Sequence, residues 1–303
     1  MMRGGVFPSP GRQRMDMGTV WSKNSMGIAT FPRMQGGIDG FLRFASALSL
    51  RYVEIRNERP FALPQDMDQG EIASLRERLD ELSLEPIIHG AVYDVNIASL
   101  NPLIRKASIR QTVESIRFAG TLGARRLVVH PGRLPKDFPV EYLRNSRINL
   151  LTSLNVMARI AGRAGVILAI ENSAKGRAHR LVASPREHLY IVNKVGSSHV
   201  GALLDVGHAH TWKLDIAEYI RSLGEHLVLV HLHDNRGDAD EHLALGKGTL
   251  DFKGVGAELG RLPKVVPLVL CMRRSGDFEN SIKYLRKIDH PRGLGRFLKR
   301  GRL

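Results

Sequence analysis

A chain of 303 residues that is 43% hydrophobic can bury one large core or two ordinary ones, and it has no apolar run of about 18 residues to form a membrane-crossing helix. The single cysteine, Cys271, excludes an internal disulfide framework and fits a reducing cytoplasm. A formal net charge of +15 favours anionic partners, either phosphorylated metabolites or nucleic acid, without choosing between them.

Residues 1–22 scatter Arg3, Arg12 and Arg14 among Gly, Pro, Ser and Met with no apolar core of signal-peptide length, and read as a loose basic leader. From Met26 the chain alternates strand and helix. Apolar runs at 26–30, 52–55, 86–89, 127–130, 166–171, 200–205, 227–231 and 265–271 read as strands. The segments between and after them, 38–48, 67–82, 104–122, 143–164, 184–195, 215–223, 252–262 and 278–287, carry helical periodicity, as in Ile109, Val113, Ile116 and Ala119. Eight strands alternating with eight helices and no long linker predict a single (β/α)8 TIM barrel over 23–288, followed by a basic tail at 289–303. A doubly wound open sheet is the structural alternative.

The polar residues favour the barrel. His89, His130, Glu171, Asp205, His231 and Cys271 each stand at the C-terminal end of a different apolar run, and a closed barrel brings all six ends to one mouth. The stretch Val200 to His210 is the most explicit: a buried strand, then Asp205, then Gly207 to let the chain turn, then His208. His, Glu and Asp in this number are the ligand set preferred by Zn²⁺ or Mn²⁺. Asp240 and His242, two apart in an extended segment, could grip the same ion. Each residue alone has a plainer reading, a capping Asp or a core-edge imidazole bonded to a carbonyl. His233 is expected as a substrate contact, and His179, His188, His199, His226 and His290 as solvated surface.

The segments His89-Gly-Ala-Val-Tyr-Asp-Val-Asn96, Val129-His-Pro-Gly132, Ile170-Glu-Asn172, Leu204-Asp-Val-Gly-His208, His231-Leu-His-Asp234 and His242-Leu-Ala-Leu-Gly-Lys-Gly248 resemble the xylose isomerase-like TIM barrel superfamily over roughly residues 26–285. That superfamily holds sugar and sugar-phosphate isomerases and epimerases, and also endonuclease IV, which cleaves DNA at abasic sites. The isomerase resemblance implies one ion held by Glu171, Asp205, His231 and a Glu on the last strand, with Glu171 as one of two acid/base carboxylates. The endonuclease resemblance implies three zinc ions: His89 and His130 on the first, Glu171 bridging to a second with Asp205 and His231, and His208, Asp240 and His242 on the third. One to three divalent ions are therefore expected.

Both branches expect a glutamate on the last strand, where this chain has Cys271. The thiol is either a replacement ligand, and with Glu171 part of the catalytic pair, or a small buried residue in a site that has lost catalysis. The expectation taken forward is a cytoplasmic isomerase or epimerase acting on a small phosphorylated sugar, with Lys175, Arg177, Lys247, Arg273 and Arg274 as anion contacts. The alternative is a zinc phosphodiesterase acting on abasic DNA, which the basic charge also fits.

Overall fold

The computed structural model of the chain describes residues 20–30 and 37–289. The leader expected at 1–22, apart from 20–22, the tail expected from 289, apart from Asp289 itself, and His290 lie outside the described residues. Val20 and Trp21 pack against the core, with Trp21 over Gly256. Among the described residues no helix is long and apolar enough to cross a membrane.

In chain order the elements are β1 (Met26–Ala29), α1 (Gly37–Ala47), β2 (Tyr52–Arg56), α2 (Gln69–Glu81), β3 (Glu85–His89), α3 (Pro102–Leu122), β4 (Arg126–Val129), β5 (Arg133–Pro135), α4 (Leu143–Ala164), β6 (Ile167–Glu171), β7 (Ala178–Arg180), α5 (Pro185–Val195), β8 (Val200–Asp205), α6 (Val206–Thr211), α7 (Ile216–Leu223), β9 (Leu227–Leu232), α8 (Phe252–Leu259), β10 (Leu268–Leu270) and α9 (Ser275–Asp289). Eight of the strands form a closed parallel barrel in the order β1-β10-β9-β8-β6-β4-β3-β2. Closure is made by β1 against β10, with Ile28 opposite Leu270, which removes the open-sheet alternative. The two short strands β5 and β7 are an antiparallel ribbon outside the barrel.

Local chemistry sets the helix limits. Asn101, Ser184, Asp215 and Asp251 accept backbone N–H bonds as N-caps, and Asp68 with Glu71 makes a reciprocal capping box. α3, α4 and α5 each end on a glycine at positive φ, which only a residue without Cβ adopts cheaply.

The strands alternate between two environments. Tyr52, Ile87, Val128, Ala169, Leu203, Leu229 and Val269 fill the barrel interior as one apolar cluster, while their neighbours pack outward under the helices. Two residues beyond each of these seven, and so on the same inward face, come Glu54, His89, His130, Glu171, Asp205, His231 and Cys271. Alternation thus places an apolar floor below a layer of polar side chains at the C-terminal mouth.

His188, expected on the surface, is fully buried on α5. Its Nε2–H donates to the Ile170 carbonyl at 2.8 Å, which leaves Nδ1 to accept from the Tyr219 hydroxyl at 3.1 Å. Burial pushes this imidazole down to about 4 from an ordinary 6.5. The neutral form is the folded form, so its stabilisation is complete above pH 6.5 and is lost as pH falls from 6.5 toward 4, amounting to about 3 kcal/mol. Denaturant titrations at pH 7 and pH 4 should therefore fall further apart for the wild type than for His188→Gln, and equal pH dependence would exclude this contribution.

Candidate metal centre

The mouth gathers eleven side chains that can ligate a cation: His89, His130, His208, His231, His233, His242, Glu54, Glu171, Asp205, Asp240 and Cys271. They form four clusters, three of which are linked by shared residues, while the fourth meets the others through the His231 contact to Glu171. One joins His89, His130 and Glu171; the second joins Glu171, Asp205 and His208; the third joins His208, His233, Asp240 and His242; the fourth joins Glu54, His231 and Cys271. All eight residues expected as metal ligands lie at this mouth, brought from the ends of β3, β4, β6, β8 and β9, from α6 and from the 240–242 loop, with His231 joined to the rest by its contact to Glu171.

Glu171 is the hub. Its Oε2 lies 2.8 Å from His130 Nε2, and its Oε1 lies 3.3 Å from His231 Nδ1 and 3.5 Å from His208 Nδ1. Burial would raise this carboxyl, but the surrounding imidazoles, His130 foremost, hold it well below the usual carboxylate range. At His208 burial opposes the imidazolium, and Asp205, helped by Asp240 and Glu171, outweighs it and pushes the group up to about 10. Asp240 is likewise held low against its burial by His208 and His242. His89 goes the other way, since burial and the nearby Arg56 guanidinium both disfavour its charge.

The imidazoles are oriented as ligands are. Nδ1 of His89 faces the Gly90 carbonyl at 2.9 Å, Nδ1 of His208 faces that of Asn172 at 2.8 Å, and Nδ1 of His242 faces that of Cys271 at 2.8 Å. A carbonyl only accepts, so each Nδ1 carries a proton and each Nε2 is the nitrogen aimed at the site, where at His208 a bound cation would replace the second proton. His231 is turned round: its Nε2–H donates to Glu54 Oε2 at 2.7 Å, and Nδ1 faces Glu171 at 3.3 Å and Asp205 at 3.8 Å, where a bound cation would replace its proton. Glu54 thereby acts as the carboxylate that fixes a ligating histidine.

The donor set fits a divalent cation. His130 Nε2 and Glu171 Oε2 meet at 2.8 Å as a buried ion pair, and Asp240 Oδ1 and His233 Nδ1 are buried without a hydrogen bond. Such orphaned buried atoms are costly unless an ion meets them.

Two expectations require correction in detail. His233, expected as a substrate contact, is fully buried, with Nε2 2.9 Å from Asp205 Oδ1 and its ring stacked at 4.0 Å on His242, which makes it part of the donor cluster. Gly207 does not make a tight turn. It lies inside α6, and its lack of a side chain makes room for the His233 ring, which a Cβ would overlap. Cys271 is buried, its Sγ 3.6 Å from the Val269 carbonyl, and burial pushes the thiol up to about 12.

The expected anion contacts are dispersed. Lys175, Arg177, Lys247, Arg273 and Arg274 are all exposed. Arg273 donates to the Asp240 carbonyl at 2.9 Å and so braces a loop that carries ligands. Lys247 rides on a loop folded around the buried Asp234, whose carboxylate accepts from the amides of Asn235, Gly246, Gly248 and Leu250 at 2.8–3.2 Å. Of the other histidines expected on the surface, His179, His199 and His226 are half-buried, and His199 Nδ1 bonds the Val166 carbonyl.

Glu54 was not foreseen, although Tyr52-Val-Glu54-Ile-Arg56 carries a signal: a glutamate at an inward position of an apolar strand. Arg56, the next inward residue, has an unpaired buried Nε and lies close enough to depress His89.

A parallel barrel with a multi-donor centre at the C-terminal ends of its strands is the architecture of metal-dependent TIM-barrel proteins. The family model described as xylose isomerase-like TIM barrel matches residues 42–288, and the chain belongs to that family. An uncharacterized protein of Methanocaldococcus jannaschii is 32% identical over 183 residues, 60% of this chain and 62% of that protein, so the match spans less than two thirds of the relative's length. A probable endonuclease 4 of Mycoplasma pneumoniae is 25% identical over 68% of this chain and 74% of its own length. Among solved structures, a D-tagatose 3-epimerase-like protein superposes with a TM-score of 0.79 at 26% identity, covering 87% of this chain and 96% of that one.

Proposed function

We propose that the chain is a divalent-metal-dependent phosphodiesterase with a multinuclear centre, and that abasic duplex DNA is the first substrate to test. One observation carries this reading. A single zinc ion takes about four ligands, whereas eight donors meet here in three clusters linked through Glu171 and His208, with Glu54, His231 and Cys271 as a fourth group beside them. A sugar isomerase needs neither His89 and His130 on one side nor Asp240, His242 and His233 on the other.

In this reading His89, His130 and Glu171 hold one ion. Glu171, Asp205 and His231 hold a second, with Cys271 at its edge, and His208, Asp240, His242 and His233 hold a third. When bound, divalent ions supply Lewis-acid stabilisation of a phosphoryl group and activation of water at neutral pH. The chain's own contribution is orientation: Glu54 keeps His231 Nδ1 turned inward, and the Gly90, Asn172 and Cys271 carbonyls do the same for three Nε2 atoms. Arg56 offers a guanidinium beside the His89 end of the site for a substrate oxygen.

The likeness to a tagatose 3-epimerase-like structure favours a second reading, epimerisation of a small sugar or sugar phosphate. Its difficulty is the second acid/base group, because a buried Cys271 thiol pushed up to about 12 is a poor match for a proton acceptor at neutral pH. Elemental analysis and parallel assays separate the two. The phosphodiesterase predicts two or three ions per chain and metal-dependent incision of an abasic duplex, whereas one ion per chain with ketose epimerisation would replace it by the isomerase.

A further inference from the structure

The β5–β7 ribbon rises from the mouth directly beside the centre, β5 beginning three residues after His130 and β7 seven after Glu171. Its register sets Arg133 directly opposite Arg180, with Pro135 opposite Ala178 on the same face. Like charges placed opposite one another on a ribbon destabilise it, and here Lys136 and Arg177 stand alongside, with Asp137 as the single acidic residue lining a cavity of about 650 Å³. Neither arginine is in a salt bridge among the described residues, and Arg180 Nε is buried without a hydrogen bond. The other face is spoken for, since Leu134 is buried and Asn96 grips the Arg133 backbone. Burial, with Arg133 opposite, pushes the Arg180 guanidinium down, while Asp240 of the centre pulls it up, so the charge stands within reach of both.

We propose that this face of the ribbon is a phosphate-binding subsite, in which Arg133 and Arg180, flanked by Lys136 and Arg177, hold a phosphate group of a ligand whose other end lies at the metal centre. Guanidinium groups suit the role because their planar donors pair with two phosphate oxygens at once, and a bound dianion turns a repulsive pair into an attractive one. The identity of the rest of the ligand rests on the phosphoester reading; the phosphate contact itself does not.

Calorimetric titration of the full chain, loaded with metal, tests it. The probes are inorganic phosphate, a sugar phosphomonoester, a short oligonucleotide and a neutral sugar. Arg133→Gln with Arg180→Gln is expected to weaken the phosphate-bearing probes about tenfold or more, to spare the neutral sugar and to leave metal content unchanged. A loss limited to the oligonucleotide assigns the phosphate to a nucleic-acid backbone, and a loss shared by the monoester assigns it to a free phosphate group; both uphold the subsite. The arginine effect should persist in Glu171→Gln, which separates this inference from the fate of the metal reading. In the unmutated chain, inorganic phosphate should slow phenylglyoxal labelling of Arg133 and Arg180, read by peptide mass spectrometry. Undiminished phosphate affinity in the double variant, or labelling indifferent to phosphate, overturns the proposal.

Discussion

Glu171→Gln should strip the centre of metal and lower phosphodiester hydrolysis by on the order of 10³-fold. The substitution keeps size and shape and removes one charge, at the residue that faces His130 through Oε2 and His231 and His208 through Oε1. Because Glu171 belongs to two donor clusters, one amide weakens both. The fold should survive at reduced stability: the amide keeps the side chain's size, but the imidazoles that hold the carboxylate low lose their counter-charge. Elemental analysis and circular dichroism read the two halves of this result. A folded variant with full metal content and unimpaired hydrolysis would end the multinuclear reading.

The second large effect is on stability. Asp234 is fully buried just past β9, and four backbone amides point at its carboxylate. Asp234→Ala leaves those amides without acceptors and frees the 243–250 loop, at a cost of about 3 kcal/mol or more. Asp234→Asn should rescue little, because its NH₂ would face two amide donors. Gly248 could not be replaced in compensation, as any Cβ there would overlap the Asn235 carbonyl. Urea unfolding of the three proteins reads the difference. If Asp234→Asn unfolds with the wild type, hydrogen-bond acceptance at Oδ1 and Oδ2 is not what holds the loop.

Much of the architecture was legible because buried parallel strands advertise themselves as apolar runs, and a polar residue closing such a run is conspicuous. His89, His130, Glu171, Asp205 and His231 were visible for that reason. Glu54 escaped because the apolar run reads through Ile55, which puts the glutamate inside the run and not at its end. The ribbon escaped because three residues are too few for a period, and Arg133 and Arg180 become neighbours only through pairing across 47 positions. His188 misled because burial on a helix depends on what packs over it, here Tyr219 and the end of β6. Gly207 shows a related limit, since the turn propensity of glycine is local while the space needed by His233 comes from another strand.

The apolar ring of Tyr52, Ile87, Val128, Ala169, Leu203, Leu229 and Val269 is also a stopper. The ring is almost wholly apolar, so water, metal and substrate are expected to reach the donors from the mouth, beside which the arginine ribbon stands. An anion held there as proposed should slow metal exchange, so exchange rates with and without phosphate read the arrangement.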